Sequence, residues 1–405
     1  MQAIEQDKTT HALRKRKRML VCVASYLPGY KSGGPIRSIT NVVAHLSDRF
    51  DFYVVTRDRD VADAQRYPQV TADRWCEVGN AQVLYCSSIG PSILCRAFRE
   101  AQPDLVYLNS FQDAFTRLMV TLRRVGKFGD TPMLLAPRGE FASAAMRIKR
   151  PKKTLYRHAS RLLGFHENLS WHATNASEKR DVLEIAPARR LIPDSVYVAR
   201  NISESLALSA PHVKKEPGSV KFAVVARMSE MKNLGFLMEI LSGIRGRVEL
   251  NLFGPVGMPD VRYWKGCMSQ IEKLPENVKV KYEGPVDNSL VPQVLHDHHF
   301  FVLPTKGENF CHAAVESFVN GTPAVISDQT PWIELSKAHA GFDIPLDDRA
   351  RWTTALQACI DMDQTAYASY LNGAEKFGRQ FSNEAAVSEH VAMFEAAMKV
   401  HTAPL

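Results

Sequence analysis

Long hydrophobic runs are absent from this sequence of 405 residues. No stretch reaches the roughly 18 consecutive apolar residues that a membrane-spanning helix requires. The basic run RKRKR at residues 14–18 precedes an apolar run of only about nine residues without a small-residue cleavage site, which argues against a signal peptide. We therefore expect a cytoplasmic protein without a membrane span, whose basic N-terminus, residues 1–18, is disordered.

Cysteine motifs and cofactor motifs are also scarce. The seven cysteines form no C-x-x-C pair and no metal-ligand spacing, which predicts free thiols in a reducing compartment and no zinc site. The glycine pair Gly33 and Gly34 lacks the G-x-G-x-x-G pattern of a dinucleotide site. No D-x-D motif stands in a metal-binding setting, and Asp347 and Asp348 form an ordinary loop pair. We expect no metal ion and no bound cofactor.

Positive charge is in excess. The chain has 51 lysines and arginines against 43 aspartates and glutamates, a formal net charge of +8. Such an excess favours anionic partners, which are nucleotide diphosphates, phospholipid surfaces or nucleic acid. Nucleic acid is the weakest of the three because no recognised nucleic-acid-binding module accompanies the charge. We expect no nucleic-acid partner.

Strand and helix patterns alternate along the chain, which predicts an α/β protein of two domains. Residues 19–25 are a continuous apolar run, typical of a central parallel strand, and a glycine-rich loop and an amphipathic helix follow. The first domain is expected over residues 19–203. Residues 204–218 turn polar and rich in proline, as a linker does. A second α/β pattern then covers residues 219–380.

One stretch, residues 304–332, carries the strongest signal. An apolar strand ends before Glu308, a helix begins near Cys311, and Glu316 lies inside that helix, eight residues after the first glutamate. Glu308 is thereby expected at the helix N-terminus. Backbone N–H groups of residues 309–312 would face outward with the positive end of the helix dipole, which suits a diphosphate. Taken alone, the two glutamates favour a structural interpretation, in which Glu308 caps or decorates an ordinary β–α turn and Glu316 is a solvated helix residue.

This stretch resembles the E-x7-E signature of the retaining glycosyltransferases of family GT4, which have the GT-B fold. The likeness extends to GENF before the helix, to ES-F-x-x-G-x-P-A-V-I-S-D, and to the TPW found in a bacterial polysaccharide branch. It implies two Rossmann-like domains facing each other across a cleft, with residues 381–405 as a helix that packs back on the first domain. It also implies sugar transfer from a UDP- or GDP-sugar to a glycan or polyprenyl-linked acceptor.

Four residues carry the chemistry that the resemblance implies. Arg227 and Lys232 stand at a strand end and a helix start, where two cations can converge on a diphosphate, and they match the family's R-x-x-x-x-K. Glu308 is assigned to the donor-sugar hydroxyls and Glu316 to the ribose. Charge on the leaving group would be neutralised by these cations and the amides instead of a metal. Retention would follow front-face attack, with the leaving phosphate taking the acceptor proton.

The remaining predicted site residues lie at strand ends and turns. On the donor side they are Gly33, Gly34, Gly254, Asn309, Phe310, Cys311 and His312. Glycines there permit close approach by a ligand, although turn chemistry alone would also explain them. On the acceptor side they are Arg138, Gly139 and His172, which resemble the family's P-R-G and H-x-T turns. A surface arginine at a strand end and a structural histidine are the alternatives.

Residues 147–165 are strongly basic with leucines interspersed. A helix of this composition suits an anionic membrane surface, so we expect peripheral binding at the inner face of the cell membrane. A solvated charged face is the alternative. For the whole chain, the other enzyme candidates are a nucleotide-sugar epimerase and a phosphorylase of the same fold. A non-catalytic subunit that binds sugar nucleotides is the candidate outside enzymes, which the intact Glu308, Glu316, Arg227 and Lys232 disfavour.

Overall fold

Two β-sheets of mainly parallel strands, each flanked by helices, make up the described part of the protein. The computed structural model describes residues 16–61, 63–142, 146, 150–189, 191–203, 212–381 and 383–399, without the side chains of residues 150–153 and 259. The prediction of an α/β protein with two domains of this kind is confirmed. The central strands of each sheet, residues 105–109 and 300–303 among them, are apolar and buried on both faces, which is why their sequences lack alternation.

The first sheet has, within the described ranges, eight strands in the order β3-β4-β2-β1-β5-β6-β7-β8. Its strands are β1 (Lys17–Cys22), β2 (Phe50–Arg57), β3 (Trp75–Val78), β4 (Ala81–Cys86), β5 (Leu105–Asn109), β6 (Met133–Ala136), β7 (Ser170–Ala173) and β8 (Val196–Val198). Its helices are α1 (Gly34–Leu46), α2 (Pro91–Ala101), α3 (Ala114–Arg124), α4 (Arg150–Leu163) and α5 (Ala176–Ile185). All strand pairs are parallel except β3 with β4.

The structure corrects the predicted N-terminal boundary. Strand β1 begins at Lys17, so residues 16–18 are part of the fold, whereas residues 1–15 lie outside the described residues. Asp104 explains the earlier start, because its carboxylate accepts hydrogen bonds from Lys17 Nζ at 2.7 Å and from the Arg18 backbone N–H at 2.9 Å. A basic residue at a strand end is accommodated when a carboxylate stands opposite.

The second sheet has six strands in the order β11-β10-β9-β12-β13-β14 among the described residues, with parallel pairing throughout. Its strands are β9 (Ser219–Val225), β10 (Arg247–Phe253), β11 (Val278–Gly284), β12 (Phe300–Leu303), β13 (Ala324–Ser327) and β14 (Gly341–Ile344). Its helices are α6 (Leu234–Leu241), α7 (Val261–Ile271), α8 (Val291–His296), α9 (His312–Val319), α10 (Arg349–Asp361) and α11 (Gln364–Gly378).

The last helix, α12 (Asn383–Lys399), follows the second domain in sequence but packs against the first. Its Phe394 is fully buried, with its ring centroid 5.6 Å from that of Phe50 and 5.3 Å from that of Tyr107. Arg200 and Glu389 add an ion pair of 2.9 Å between the end of the first domain and this helix. Helix α12 therefore connects the second domain to the first.

The carboxyl ends of both sheets open onto one cleft. Loops after β1, β6, β7 and β8 form its first wall, and loops after β9, β10, β11, β12 and β13 form the second. The cavity between them has a volume of about 680 Å³. In sheets of this kind, ligands bind beyond the carboxyl ends of the strands, so this cleft is the candidate site.

Candidate active site

Most of the predicted site residues line this cavity. They are Gly33, Gly34, Arg138, Gly139, Arg227, Lys232, Gly254, Glu308, Asn309, Phe310, Cys311 and His312. Two predicted residues, Glu316 and His172, are buried and are not part of the cavity wall. The topology thus brings together residues that are almost 280 positions apart in the sequence.

Two cations of the second domain face the cavity close to the end of β9. Arg227 follows the strand by two residues and is exposed. Its guanidinium makes no hydrogen bond or ion pair with any residue that the structure describes. Lys232 closes a short 3₁₀ turn, Glu230–Lys232, which fixes its backbone at the mouth of α6. The pair can therefore approach one anionic ligand from a single wall.

Lys232 already has a protein partner. Its ammonium group forms an ion pair with the carboxylate of Glu308, and the Thr305 hydroxyl donates to the same carboxylate at 3.1 Å. The Glu308 backbone N–H donates to Gln329 O at 2.9 Å, which anchors the loop. Helix α9 begins at His312, four residues after Glu308. The expectation that Glu308 stands at the helix N-terminus is therefore wrong.

The N-terminus of α9 presents free backbone donors. The N–H groups of residues 309–313 donate to no acceptor among the described residues, and Cys311 takes a left-handed conformation with φ of 62° that starts the helix. Burial raises the pKa of the Cys311 thiol to about 12, so this group is neutral. Free amides at a helix N-terminus, next to two cations, provide a site for a phosphate group.

His312 connects this helix to the first domain. Its Nε2 lies 3.1 Å from the Ser38 hydroxyl of α1. Burial, followed by the charges of Arg37 and Arg138, lowers the pKa of His312 to about 3, so the imidazole is neutral near pH 7. A neutral His312 adds no charge to the site and contributes hydrogen bonding instead.

Arg37 is a site residue that the sequence analysis does not predict, and it pairs with Glu316. Its guanidinium forms an ion pair with the Glu316 carboxylate and donates to Asn288 Oδ1 at 2.7 Å. The two charged side chains are only 15% and 8% exposed. The sequence contained a signal for this residue. A cation in the first turn of α1 is unfavourable beside the positive end of the helix dipole, which suggests that Arg37 has a partner elsewhere in the fold.

Asn309 locks the loop before α9 onto the first domain. Its Nδ2 donates to the Thr174 hydroxyl at 2.7 Å and to Glu178 Oε2 at 3.0 Å, and its carbonyl accepts from Asn175 Nδ2 at 2.9 Å. Glu178 also accepts from the Gly139 backbone N–H at 2.6 Å. A Cβ at Gly139 would lie 3.0 Å from that of Asn309, which explains a glycine at this turn.

Arg138 stands in the wall opposite the two cations of the second domain. It takes a left-handed conformation with φ of 56°. Its guanidinium donates to Asn109 Oδ1, to Asn201 Oδ1 and to the Tyr107 hydroxyl, each at 2.8 Å. All three acceptors are uncharged, so the network positions the guanidinium without neutralising it.

His172 lies behind this wall and does not reach the cavity. It is fully buried, with Nδ1 at 2.6 Å from the Tyr107 hydroxyl and Nε2 at 2.8 Å from Ala199 O. Burial, and to a lesser degree the charge of Arg138, keeps its pKa well below the ordinary value. The structure therefore assigns His172 to the support of Tyr107 and Arg138 rather than to contact with an acceptor.

Gly254 has a packing role as well as a place in the wall. A Cβ at this position would lie 1.8 Å from Ala226 O, and its φ of 143° suits glycine. The close approach of β10 to the β9 loop therefore explains this glycine without a ligand. Among the described residues, no cluster of three or more His, Cys, Asp or Glu side chains is arranged to hold a metal ion.

The helix α4 exposes apolar side chains on the first domain. Leu155 and Leu162 are 72% and 75% exposed, and Leu163 is half exposed. The predicted basic side chains of Arg147, Lys149, Arg150, Lys152 and Lys153 lie outside what the structure describes, while Arg157 and Arg161 belong to the described part of the helix. No described helix has the length and apolar character needed to span a membrane.

Comparison with known proteins agrees with this architecture. Residues 219–362 match the family model described as glycosyl transferases group 1. HepE of Anabaena, solved with UDP and glucose, is 13% identical with a TM-score of 0.66 over 94% of this chain and 100% of that chain. Sucrose-phosphate synthase from Thermosynechococcus elongatus is 14% identical with a TM-score of 0.70, over 94% and 98%. No curated protein matches the sequence.

Proposed function

We propose that this protein is a retaining, metal-independent glycosyltransferase, because residues 219–362 match the model of the group 1 glycosyltransferases and the chain has the GT-B fold. It moves a sugar from a nucleotide-diphosphate donor to a glycan or lipid-linked glycan in polysaccharide biosynthesis. The observation that carries the proposal is the convergence of Arg227, Lys232 and the free N–H groups of residues 309–313 on one cavity.

These donors suit a diphosphate leaving group. Negative charge grows on the phosphate oxygen as the bond to the sugar C1 breaks, and fixed cations and amides stabilise that charge without rearrangement. The acceptor hydroxyl attacks C1 from the face that the phosphate leaves, and its proton passes to the departing phosphate oxygen. The configuration at C1 is retained, and no protein nucleophile or metal is required. We assign to Glu308, whose carboxylate is held by Lys232 and Thr305, the role of accepting hydrogen bonds from the donor sugar.

UDP is the nucleotide that we favour, since HepE of Anabaena was solved with UDP and glucose. A thermal-shift series with UDP, GDP, ADP and CDP tests this choice. A nucleotide at 100 times its dissociation constant stabilises the folded state by about 2.7 kcal/mol, which is a clear shift in the melting temperature. We expect the largest shift with UDP and a much smaller one in Arg227→Ala. If none of the four nucleotides stabilises the protein, the proposed donor class is wrong.

Transfer itself is tested with the purified protein and a UDP-sugar. A glycosyltransferase releases UDP faster when a glycan acceptor is added and yields an elongated glycan. An epimerase would instead change the sugar without an acceptor, and a phosphorylase would form a sugar 1-phosphate from a glycan when inorganic phosphate is added. A pure binding subunit would give no release of UDP at all, even by slow hydrolysis of the donor.

The exposed leucines of α4 support a peripheral position at the inner face of the cell membrane, where a lipid-linked acceptor resides. We expect the protein to sediment with phosphatidylglycerol vesicles at low salt and to be released at high salt. Each cation near an anionic bilayer adds about 1 kcal/mol before screening. Leu155→Ser combined with Leu162→Ser should weaken binding to the vesicles. Met258→Ser should not, although Met258 is also an exposed apolar side chain, because it lies on the second domain. Wild-type protein that stays in the supernatant at low salt would exclude the membrane.

A further inference from the structure

The cleft contains a cation that the diphosphate site does not use. Three cations of the cavity wall have an opposite charge beside them: Lys232 has Glu308, Arg37 has Glu316 and Lys306 has Glu230. Arg138 forms no ion pair within 4.0 Å with any residue that the structure describes. A partly buried guanidinium loses hydration, so an arrangement without a counter-ion is costly unless a ligand supplies one.

The surroundings of Arg138 fix its position and leave its charge in place. The guanidinium is held by two asparagine oxygens and a tyrosine hydroxyl, and the backbone takes a left-handed conformation that is unusual for a residue with a side chain. Behind it lie His172 and His390, both fully buried. Burial lowers the pKa of each, and the charge of Arg138 lowers it further, so both stay neutral.

An acidic side chain on this wall, Glu178, is already engaged. Glu178 accepts from Gly139 N–H through one oxygen and from the Thr174 backbone and hydroxyl and from Asn309 through the other. These donors satisfy its carboxylate and direct it away from an ion pair with Arg138. The positive charge of Arg138 is therefore available to the cavity.

Asn201 adds a second donor at the same place. Its Oδ1 accepts from Arg138 Nη1, so its Nδ2 is the atom left to bind a ligand, and it has no acceptor in the described part of the chain. The residue lines the cavity although it is only slightly exposed. A guanidinium and an amide fixed side by side are suited to the oxygens of a phosphate or a carboxylate.

We propose that Arg138 and Asn201 form an anion subsite on the first domain, separate from the Arg227 and Lys232 site on the second. The subsite binds a phosphate or carboxylate group of a substrate. The identity of the ligand rests on the proposed function: the anionic group belongs either to a charged acceptor or to the carboxylate of a uronic acid donor. A neutral glycan with a neutral donor would leave Arg138 without a counter-ion.

Inorganic phosphate is the probe. Calorimetric titration is performed at constant ionic strength, with and without saturating UDP, so that UDP fills the Arg227 and Lys232 site. We expect wild type to bind phosphate in both conditions. Asn201→Asp keeps the hydrogen bond to Arg138 and nearly the same shape but supplies a carboxylate, so phosphate affinity should fall at least about tenfold. Arg262→Gln, an exposed arginine of α7, should bind phosphate as wild type does.

Several outcomes decide the matter. Phosphate binding that UDP abolishes, or that Asn201→Asp leaves unchanged, overturns the subsite. Arg138→Gln serves as a second variant, accepted only if its melting temperature matches wild type. If UDP does not bind at all, the proposed function is wrong. The subsite would still be tested, because the phosphate titration without UDP does not depend on UDP binding.

The source of the anion is identified by comparing UDP-glucuronic acid with UDP-glucose. A donor carboxylate at Arg138 predicts that wild type binds UDP-glucuronic acid more tightly and that Asn201→Asp removes the preference. Equal affinities in wild type assign the subsite to an anionic acceptor. Both results support the subsite, provided that the phosphate titration has given the expected loss.

Discussion

Replacing Lys232 or Arg227 with alanine is expected to lower kcat/KM for sugar transfer by about 100- to 1,000-fold. Both cations face the cavity beside the free amides of residues 309–313, where the leaving diphosphate gains charge. The loss at Lys232 should be the greater, because this substitution also leaves the Glu308 carboxylate without its ion-pair partner. Initial rates of UDP release with an added acceptor measure the effect.

The control for this pair is Lys273→Ala. Lys273 is an exposed lysine after α7 and is not part of the cavity wall. It should keep wild-type rates, and all three variants should keep the wild-type melting temperature in the absence of nucleotide. Because Lys232 and Arg227 act on the same charge, the double variant should lose less than the product of the two single losses. Near-normal rates in both single variants would remove the basis of the phosphate assignment.

The sequence identified those parts of the site that depend on local pattern. Apolar runs without alternation marked the central strands, and strand ends followed by turns located Arg227, Lys232 and Glu308. The edge strands β3 and β14 were not predicted, because they are four residues long and only partly buried. Short strands of this kind depend on their neighbours in the sheet more than on their own pattern.

Contacts between the domains could not be derived from local pattern. Arg37 and Glu316 are 279 positions apart, and Asn175 and Asn309 are 134 apart, so nothing in either local sequence indicates the partner. His172 illustrates the opposite error. Its position at a strand end predicts contact with the acceptor, but the strand directs the side chain inward to the Tyr107 hydroxyl, which only the folded sheet brings near.

Glu316→Ala is expected to weaken UDP binding by at least about 100-fold, whereas Glu308→Ala should change it little and instead reduce discrimination among donor sugars. Two hydrogen bonds from the ribose hydroxyls to a carboxylate contribute about 1.5–3 kcal/mol each. Glu316 lies within α9, deeper than Glu308, which precedes the helix and faces Lys232. Calorimetry with UDP, 2′-deoxy-UDP and 3′-deoxy-UDP tests both roles, since only a residue that binds the ribose distinguishes these nucleotides.

Arg37 provides a further test of the role of Glu316, because it forms an ion pair with the Glu316 carboxylate in the nucleotide-free protein. A ribose that reaches Glu316 has to displace the guanidinium or share the carboxylate with it, and the ion pair competes with the nucleotide. Arg37→Ala should therefore bind UDP at least as tightly as wild type and keep the discrimination against deoxy nucleotides. Adding Glu316→Ala to it should restore the weak binding. Equal losses in Glu316→Ala and Glu308→Ala, with no discrimination against deoxy nucleotides in wild type, would show that Glu316 serves only as the interdomain partner of Arg37.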